Sequence, residues 1–438
     1  MNKEMNILLI SGVSANVSAG LGNSIITALT NKGHNVNFIT KYKFENMNSM
    51  MYSVYDEYEN TKRNVFSSIV VRCKRLLTSF KTLFFKNGKK RGKYIFIFDE
   101  QEMWVDSNLL LSKLPVVKYD LVLVLFWNNM VTARTLKDIF LKLQSPILFL
   151  VTDMLPITGG CYYFGQCQHY LETCGMCPAI NSKELIDFTY YNLSYKKSVY
   201  SSINYYYGGN TWLREYGKRS PIIENERIKE LFLPINENIF NIKNQNKVRR
   251  KLGLLESKKF VIFAGAADLE DERKGFKYLI DAINMFYDNL EQEMKTEVLF
   301  LLAGKTIPEK NLTFNMAVIQ FGFVDNEVLA ELYSASDIFI CSSIDDAGPT
   351  MINQSIMCGT PVISFDIGVA QDIIFDGETG YKIPKENISE FSNKIRKFYD
   401  LKSTDRMRMR DRCRNVALEK YSLTAFADRV EVIYNEIQ

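Results

Sequence analysis

No stretch of this sequence approaches the ~20 consecutive apolar residues that a membrane-spanning helix needs. The longest candidates, residues 121–126 and 146–151, are only strand-length. The opening MNKEMNILLISGVSAN lacks the long apolar core and cleavage site of a secretory leader, so the expected setting is the cytoplasm. An excess of charge of one sign is also missing. With 54 basic and 50 acidic residues the net charge is +4, too balanced for a surface given over to nucleic acid, and any basic function must be local. Low-complexity tracts and short repeats are absent, and 47% hydrophobic with 24% charged residues excludes global disorder. At 438 residues the chain is about three times the ~150-residue prior for one domain, which points to two large domains or three ordinary ones.

What is present is a recurring alternation of short β-rich apolar runs with amphipathic segments. Residues 5–11 read as a strand, 23–32 as a helix and 35–40 as a second strand after a turn at Gly33, a βαβ unit. Further strands are expected at 94–98, 121–126 and 147–151, with a helix near 132–143. The same grammar restarts at residue 259. It predicts strands at 260–264, 298–303, 318–321, 338–341 and 361–365, and helices at 276–289, 326–335 and 351–358. Two Rossmann-like, doubly wound domains with mostly parallel sheets follow, joined by a polar, Asn-rich segment around 233–245. The expected boundaries are 1–235, 236–420 and a terminal helix at 421–438 that packs back toward the N-terminal domain. Phe426, Val430 and Ile433 give that helix an apolar stripe.

Three loops carry candidate chemistry. In SGVSANVSAGLGNSIITAL, Gly20 and Gly22 open a helix and let backbone N–H groups approach an anion, although such glycines also serve plain turns. The full three-glycine dinucleotide fingerprint is lacking, which disfavours a nicotinamide site. In AGAADLEDERKGFKYLIDAI, Arg273 and Lys274 stand between a strand and a helix, where two cations can hold a diphosphate; in isolation an Arg-Lys pair reads equally as a solvated surface. In SSIDDAGPTMINQSIMCGTPVISFD, a strand leads through Asp345, Asp346 and the Gly348-Pro349 turn into a helix whose N-terminus faces the strand-end crevice.

This last segment resembles the family-4 retaining glycosyltransferases of the GT-B fold (glycosyl transferases group 1), of the bacterial surface-polysaccharide type. The matching residues are Asp346, Gln354, Cys358-Gly359-Thr360-Pro361 and Gly377-Glu378-Thr379-Gly380, with Ala303-Gly304, LPINENIF and the N-terminal glycine loop in support. The resemblance implies a GT-B fold, two such domains facing a central cleft. It implies that Arg273 and Lys274 neutralise the diphosphate of a sugar nucleotide and that Asp346 holds sugar hydroxyls. Gly348, Pro349, Thr350 and Met351 would present backbone N–H groups, Gln354 would meet the ribose, and Gly20 and Gly22 would let the N-terminal domain close on the donor. Two departures stand out. Gln354 replaces a glutamate and carries no charge. In LVTDMLPITGGCYYFG, Thr152 and Tyr162 stand where the family has histidines, while Asp153, Pro156, Thr158, Gly159 and Gly160 match. Thr152, Asp153, Arg273, Lys274 and Asp346 form the expected catalytic set.

Four of the eight cysteines, Cys161, Cys167, Cys174 and Cys177, fall in this same region. Their C-x5-C-x6-C-x2-C spacing leaves open a closed structural zinc site, a set of free thiols or, third, an iron–sulfur cluster. Residues 72–93 hold nine basic residues and no acidic one, and Ile69, Cys73, Leu76, Leu77, Phe80, Leu83 and Phe84 recur at helical spacing. A basic amphipathic helix of this kind suits an anionic membrane surface, or packs on the core with its charges solvated.

The expected function is retaining, hexosyl-type transfer from a nucleotide diphosphate sugar to a glycan or lipid-linked glycan acceptor in polysaccharide biosynthesis, with no cofactor or metal at the reacting atoms and no nucleic-acid partner. A hydrolase with opposed carboxylates is rejected, because Asp345 and Asp346 are adjacent. The competing expectation is a catalytically silent GT-B subunit that binds a sugar nucleotide, a glycan or a partner enzyme, favoured by Thr152, Tyr162 and Gln354.

Overall fold

The structure is a computed structural model that describes residues 4–13, 17–42, 49–54, 100–101, 103, 105–127, 130–254, 256–308 and 313–438. The expected strand at 94–98 and the basic stretch at 72–93 lie outside them.

Seven strands form the first sheet: β1 (Asn6–Ser11), β2 (Asn35–Thr40), β3 (Met51–Ser53), β4 (Leu121–Val124), β5 (Ile147–Leu150), β6 (Tyr205–Gly209) and β7 (Ile228–Glu230). Their order is β3-β2-β1-β4-β5-β6-β7 and every pairing is parallel. The second sheet contains β8 (Phe260–Ala266), β9 (Val298–Gly304), β10 (Val318–Gly322), β11 (Ile338–Cys341), β12 (Val362–Phe365) and β13 (Gly380–Ile383), in the order β10-β9-β8-β11-β12-β13 and again parallel. In each sheet the winding direction reverses beside the first strand, between β1 and β4 and between β8 and β11. The crevice at the strand carboxyl ends there is where α/β sheets take ligands.

Both faces of each sheet are covered, which is why the strands read as near-continuous apolar runs. Along β1, Leu8 and Ile10 join a core with the helices Ala133–Leu143 and Phe188–Tyr200, whereas Ile7 and Leu9 join one with the helix Val17–Asn31. The second sheet divides likewise: Val261 and Phe263 point to one core, Phe260 and Ile262 to the other. The terminal helix Leu423–Glu436 contributes Leu423, Phe426, Val430 and Ile433 to the same core as Leu21 and Ile25 of the first domain. Arg429 Nε also donates to Glu230 O at 2.8 Å.

The first helix begins at Val17 rather than residue 23, so Gly20 and Gly22 lie within its opening turns. Sequence reading also passed over β6 and the helix Phe188–Tyr200. The strand's YYYGG has too few aliphatics to stand out, and the helix's run of tyrosines and lysines blurs its apolar face.

Candidate donor and acceptor cleft

The loop after β8 and the loop after β11 build the C-terminal wall. Arg273 and Lys274 sit in a single 3-10 turn, Glu272–Lys274, closed by Gly275 at φ 64. A Cβ on Gly275 would lie 2.0 Å from Ser342 O, so only glycine lets the two loops touch. They are stitched there by Ile344 N–H to Arg273 O (2.8 Å) and Ser342 Oγ to Lys274 O (2.8 Å). This places Lys274 Nζ 2.5 Å from Asp346 Oδ2. The Arg273 guanidinium donates to Asp271 Oδ2 at 2.7 Å and to Asp345 O at 3.4 Å. Asp346 Oδ1 accepts from Gly348 N–H at 3.1 Å, an Asx turn that leads into the helix Thr350–Met357. No side chain caps that helix, so its first N–H groups are left for a ligand at the positive end of the dipole.

Burial works against both cations, yet both are held more firmly protonated than usual: Arg273 by Tyr163, Asp271 and Asp346, and Lys274 by Asp346. They therefore carry full charge at any physiological pH.

The N-terminal wall is the long connection after β5. Asp153 Oδ1 accepts from Leu155 N–H at 2.8 Å, and Thr152 Oγ1 donates to Asp153 Oδ2 at 3.4 Å. Burial raises the Asp153 carboxyl to about 6; Leu155 N–H, Lys196, the Thr152 hydroxyl and Arg273 offset only part of that rise. Beneath the loop, the helix Phe188–Tyr200 holds it by side chains. Lys196, with no exposed surface, donates to Leu155 O (2.6 Å) and Thr158 O (2.9 Å) and pairs with Glu100 Oε1 (3.1 Å). Asn192 Nδ2 donates to Gly159 O at 3.0 Å, and Tyr200 Oη to Pro156 O at 2.9 Å.

The two walls meet. The Arg273 guanidinium lies 4.2 Å from the centroid of the Tyr163 ring, a cation–π contact across the cleft. Asn210 caps the helix Thr211–Arg219 through Oδ1 and uses its Nδ2 to reach Ala347 O at 2.7 Å in the other domain. Gly20, at φ 71, faces Asn326 of the second domain, whose Nδ2 would be 3.4 Å from a Cβ there.

Asp153, Arg273, Lys274, Asp346 and Gly348 are thus brought together where the two domains meet, with Thr152 beside Asp153, with Pro349, Thr350 and Met351 continuing from Gly348 into the helix, and with Gly20 facing Asn326 across the same junction. Gln354 is set apart. It is 1% exposed, and its Oε1 accepts from Tyr333 Oη at 3.2 Å while Nε2 has no partner among the described residues. Tyr163, Lys196, Glu100 and Asn210 were not expected. Of these only Tyr163 carries a sequence signal, lying next to Tyr162 in the motif.

Residues 244–417 match the model of the family described as glycosyl transferases group 1. Among curated proteins, the N-acetyl-alpha-D-glucosaminyl L-malate synthase of Bacillus anthracis is 24% identical over 219 residues, 49% of this chain and 55% of its own length. The chain spans about half the length of the curated relatives it matches. Among solved structures, a sucrose-phosphate synthase from Thermosynechococcus elongatus aligns with a TM-score of 0.61 at 15% identity, covering 99% of both chains. Anabaena HepE, solved with UDP and glucose, aligns with a TM-score of 0.61 at 15% identity over 99% of this chain and 100% of its own. The whole chain therefore has the GT-B fold of these neighbours, and its residues 244–417 match the glycosyl transferases group 1 family.

Proposed function

We propose that the protein transfers a hexose-type sugar, with retention of configuration, from a nucleotide diphosphate sugar to a glycan or lipid-linked glycan acceptor in polysaccharide biosynthesis. The observation that carries this reading is the convergence of Arg273, Lys274 and the uncapped N-terminus of the helix Thr350–Met357 beside Asp346, directly across from Tyr163 and Asp153. Two fixed cations and a helix dipole are the complement of a diphosphate leaving group. They stabilise the charge that develops as the glycosidic bond breaks, in place of a metal. Asp346 and Gly348 hold sugar hydroxyls, and Asp153, mostly ionised at neutral pH, accepts from a hydroxyl on the opposite side. The unpaired amide of Gln354 reaches the ribose only if Tyr333 yields its contact.

The UDP and glucose of HepE and the alpha-linked product named for the Bacillus anthracis relative support a UDP-sugar donor and an alpha-linked product. A lipid-linked acceptor fits the basic stretch 72–93, which would bring the protein to the inner membrane face. Among the described residues no helix is long and apolar enough to cross a membrane.

The test is a thermal-shift series with UDP, GDP, ADP and dTDP sugars, followed by release of the nucleoside diphosphate with candidate acceptors. A bound donor at 100 times its Kd raises stability by about 2.7 kcal/mol. No shift with any sugar nucleotide would defeat the proposal. Binding without turnover on any acceptor would favour the silent subunit.

A further inference from the structure

The connection after β5 brings its four cysteines to one place. Cys161, Cys167, Cys174, Cys177 and His169 line a single cavity of about 20 Å³, room for one water-sized sphere. The backbone is bent to make it. Cys174, Gly175 and Met176 all have positive φ (57°, 94° and 42°), two of them in non-glycine residues, so the C-x-x-C turn holds a conformation that side chains ordinarily avoid. His169 braces the turn by donating from Nδ1 to Gly175 O at 2.9 Å.

We propose that Cys161, Cys167, Cys174 and Cys177 bind one zinc ion as a closed, four-thiolate structural site. Soft sulfur ligands in a tetrahedral set select zinc, and the cavity of about 20 Å³ has room for a single ion. Among the described residues no group of three or more His, Cys, Asp or Glu side chains is already gathered as a metal would gather them. Cys161 and Cys177 are in contact, and binding of the ion requires Cys167 and Cys174 to turn toward them. Each thiol that binds releases its proton to solvent, and the metal keeps its oxidation state. Cys161 lies two residues before Tyr163, so the ion ties down the loop that carries the aromatic ring over Arg273.

The test uses the full chain purified under reducing conditions without added metal. Elemental analysis should find about one zinc per chain, falling below about a tenth in Cys174→Ser/Cys177→Ser. If that variant fails to fold, the wild type still decides. Modifying its thiols in the presence of a chromophoric zinc indicator should release about one equivalent, and Co²⁺ exchanged into the site should show thiolate-to-metal charge-transfer absorption. Protein that carries neither zinc nor iron, takes up no added Zn²⁺ and offers all four thiols to a modifying reagent would overturn the proposal. Stoichiometric iron with cluster absorption would overturn it as well. None of these readouts needs a sugar nucleotide, so they stand or fall separately from the transferase reading.

Discussion

The two domains share one winding order yet hold their site loops by different means. In the C-terminal domain, short loops after β8 and β11 are stitched by backbone contacts, Ile344 N–H to Arg273 O and the approach of Gly275 to Ser342 O. In the N-terminal domain, the long connection from Val151 to Asp187 has 3-10 turns and backbone bonds of its own, such as Met154 N–H to Tyr162 O, but is anchored to the domain by buried side chains of another element: Lys196, Asn192 and Tyr200. A loop fixed by its own backbone is robust to distant substitution. A loop fixed from below depends on residues far from the chemistry.

The sharpest way to break this contrast is Lys196→Met. It removes a fully buried cation from Glu100 and from two loop carbonyls, and breaking such a pair costs about 3–5 kcal/mol. Urea unfolding should show that loss, and Lys196→Met/Glu100→Gln should recover part of it. An unchanged midpoint would mean that the loop holds itself.

In the other domain, Lys274→Ala should cost some stability by leaving buried Asp346 unpaired, and should weaken sugar-nucleotide binding by about 1.5–3 kcal/mol, roughly 10- to 150-fold. Calorimetric titration giving equal affinities for wild type and variant would take Lys274 out of the donor site. Asp346 loses its partner in that variant, so its charge adds to the penalty.

Asp153 distinguishes the walls by pH. Its carboxyl titrates near 6 in the folded protein against an ordinary 3.8, so the folded state holds more protons between those values. The associated stability is complete below about pH 4 and is lost as pH rises through 6. Asp153→Asn, which keeps an acceptor for Leu155 N–H, should therefore gain about 1–2 kcal/mol relative to wild type at pH 8 and nothing at pH 4. A difference independent of pH would refute the assignment.

The smallest effect belongs to the contact between the walls. Tyr163→Leu should weaken donor binding by about 0.5–2 kcal/mol, through loss of the ring over Arg273. A stronger effect than that of Lys274→Ala would shift the centre of the site toward the N-terminal domain.

The same contrast explains what the sequence disclosed. Arg273, Lys274 and Asp346 are legible because the turns that assemble them contain Gly275, a position only glycine can fill, and Pro349, which opens the helix Thr350–Met357. Most core strands were legible because burial on both faces makes them apolar throughout. Lys196 was not. It stands beside Lys197 in a helix of tyrosines and lysines, one wholly buried and the other exposed, and only the tertiary fold separates them. Asn210 reads as a helix cap, and nothing local tells that its second amide hand crosses to Ala347. For Gln354, motif position implies a ribose contact, whereas the structure shows its Oε1 accepting from Tyr333, a contact that nothing local in the sequence discloses.

The return of the helix Leu423–Glu436 to the first domain sets the timetable of biosynthesis. On a ribosome the first sheet emerges early, yet the face of the helix Val17–Asn31 that receives Phe426, Val430 and Ile433 must wait until the entire second sheet has been made. The domain synthesised first is the one completed later. During that interval Leu21 and Ile25 form an uncovered apolar strip on the nascent chain, the kind of surface a chaperone shields.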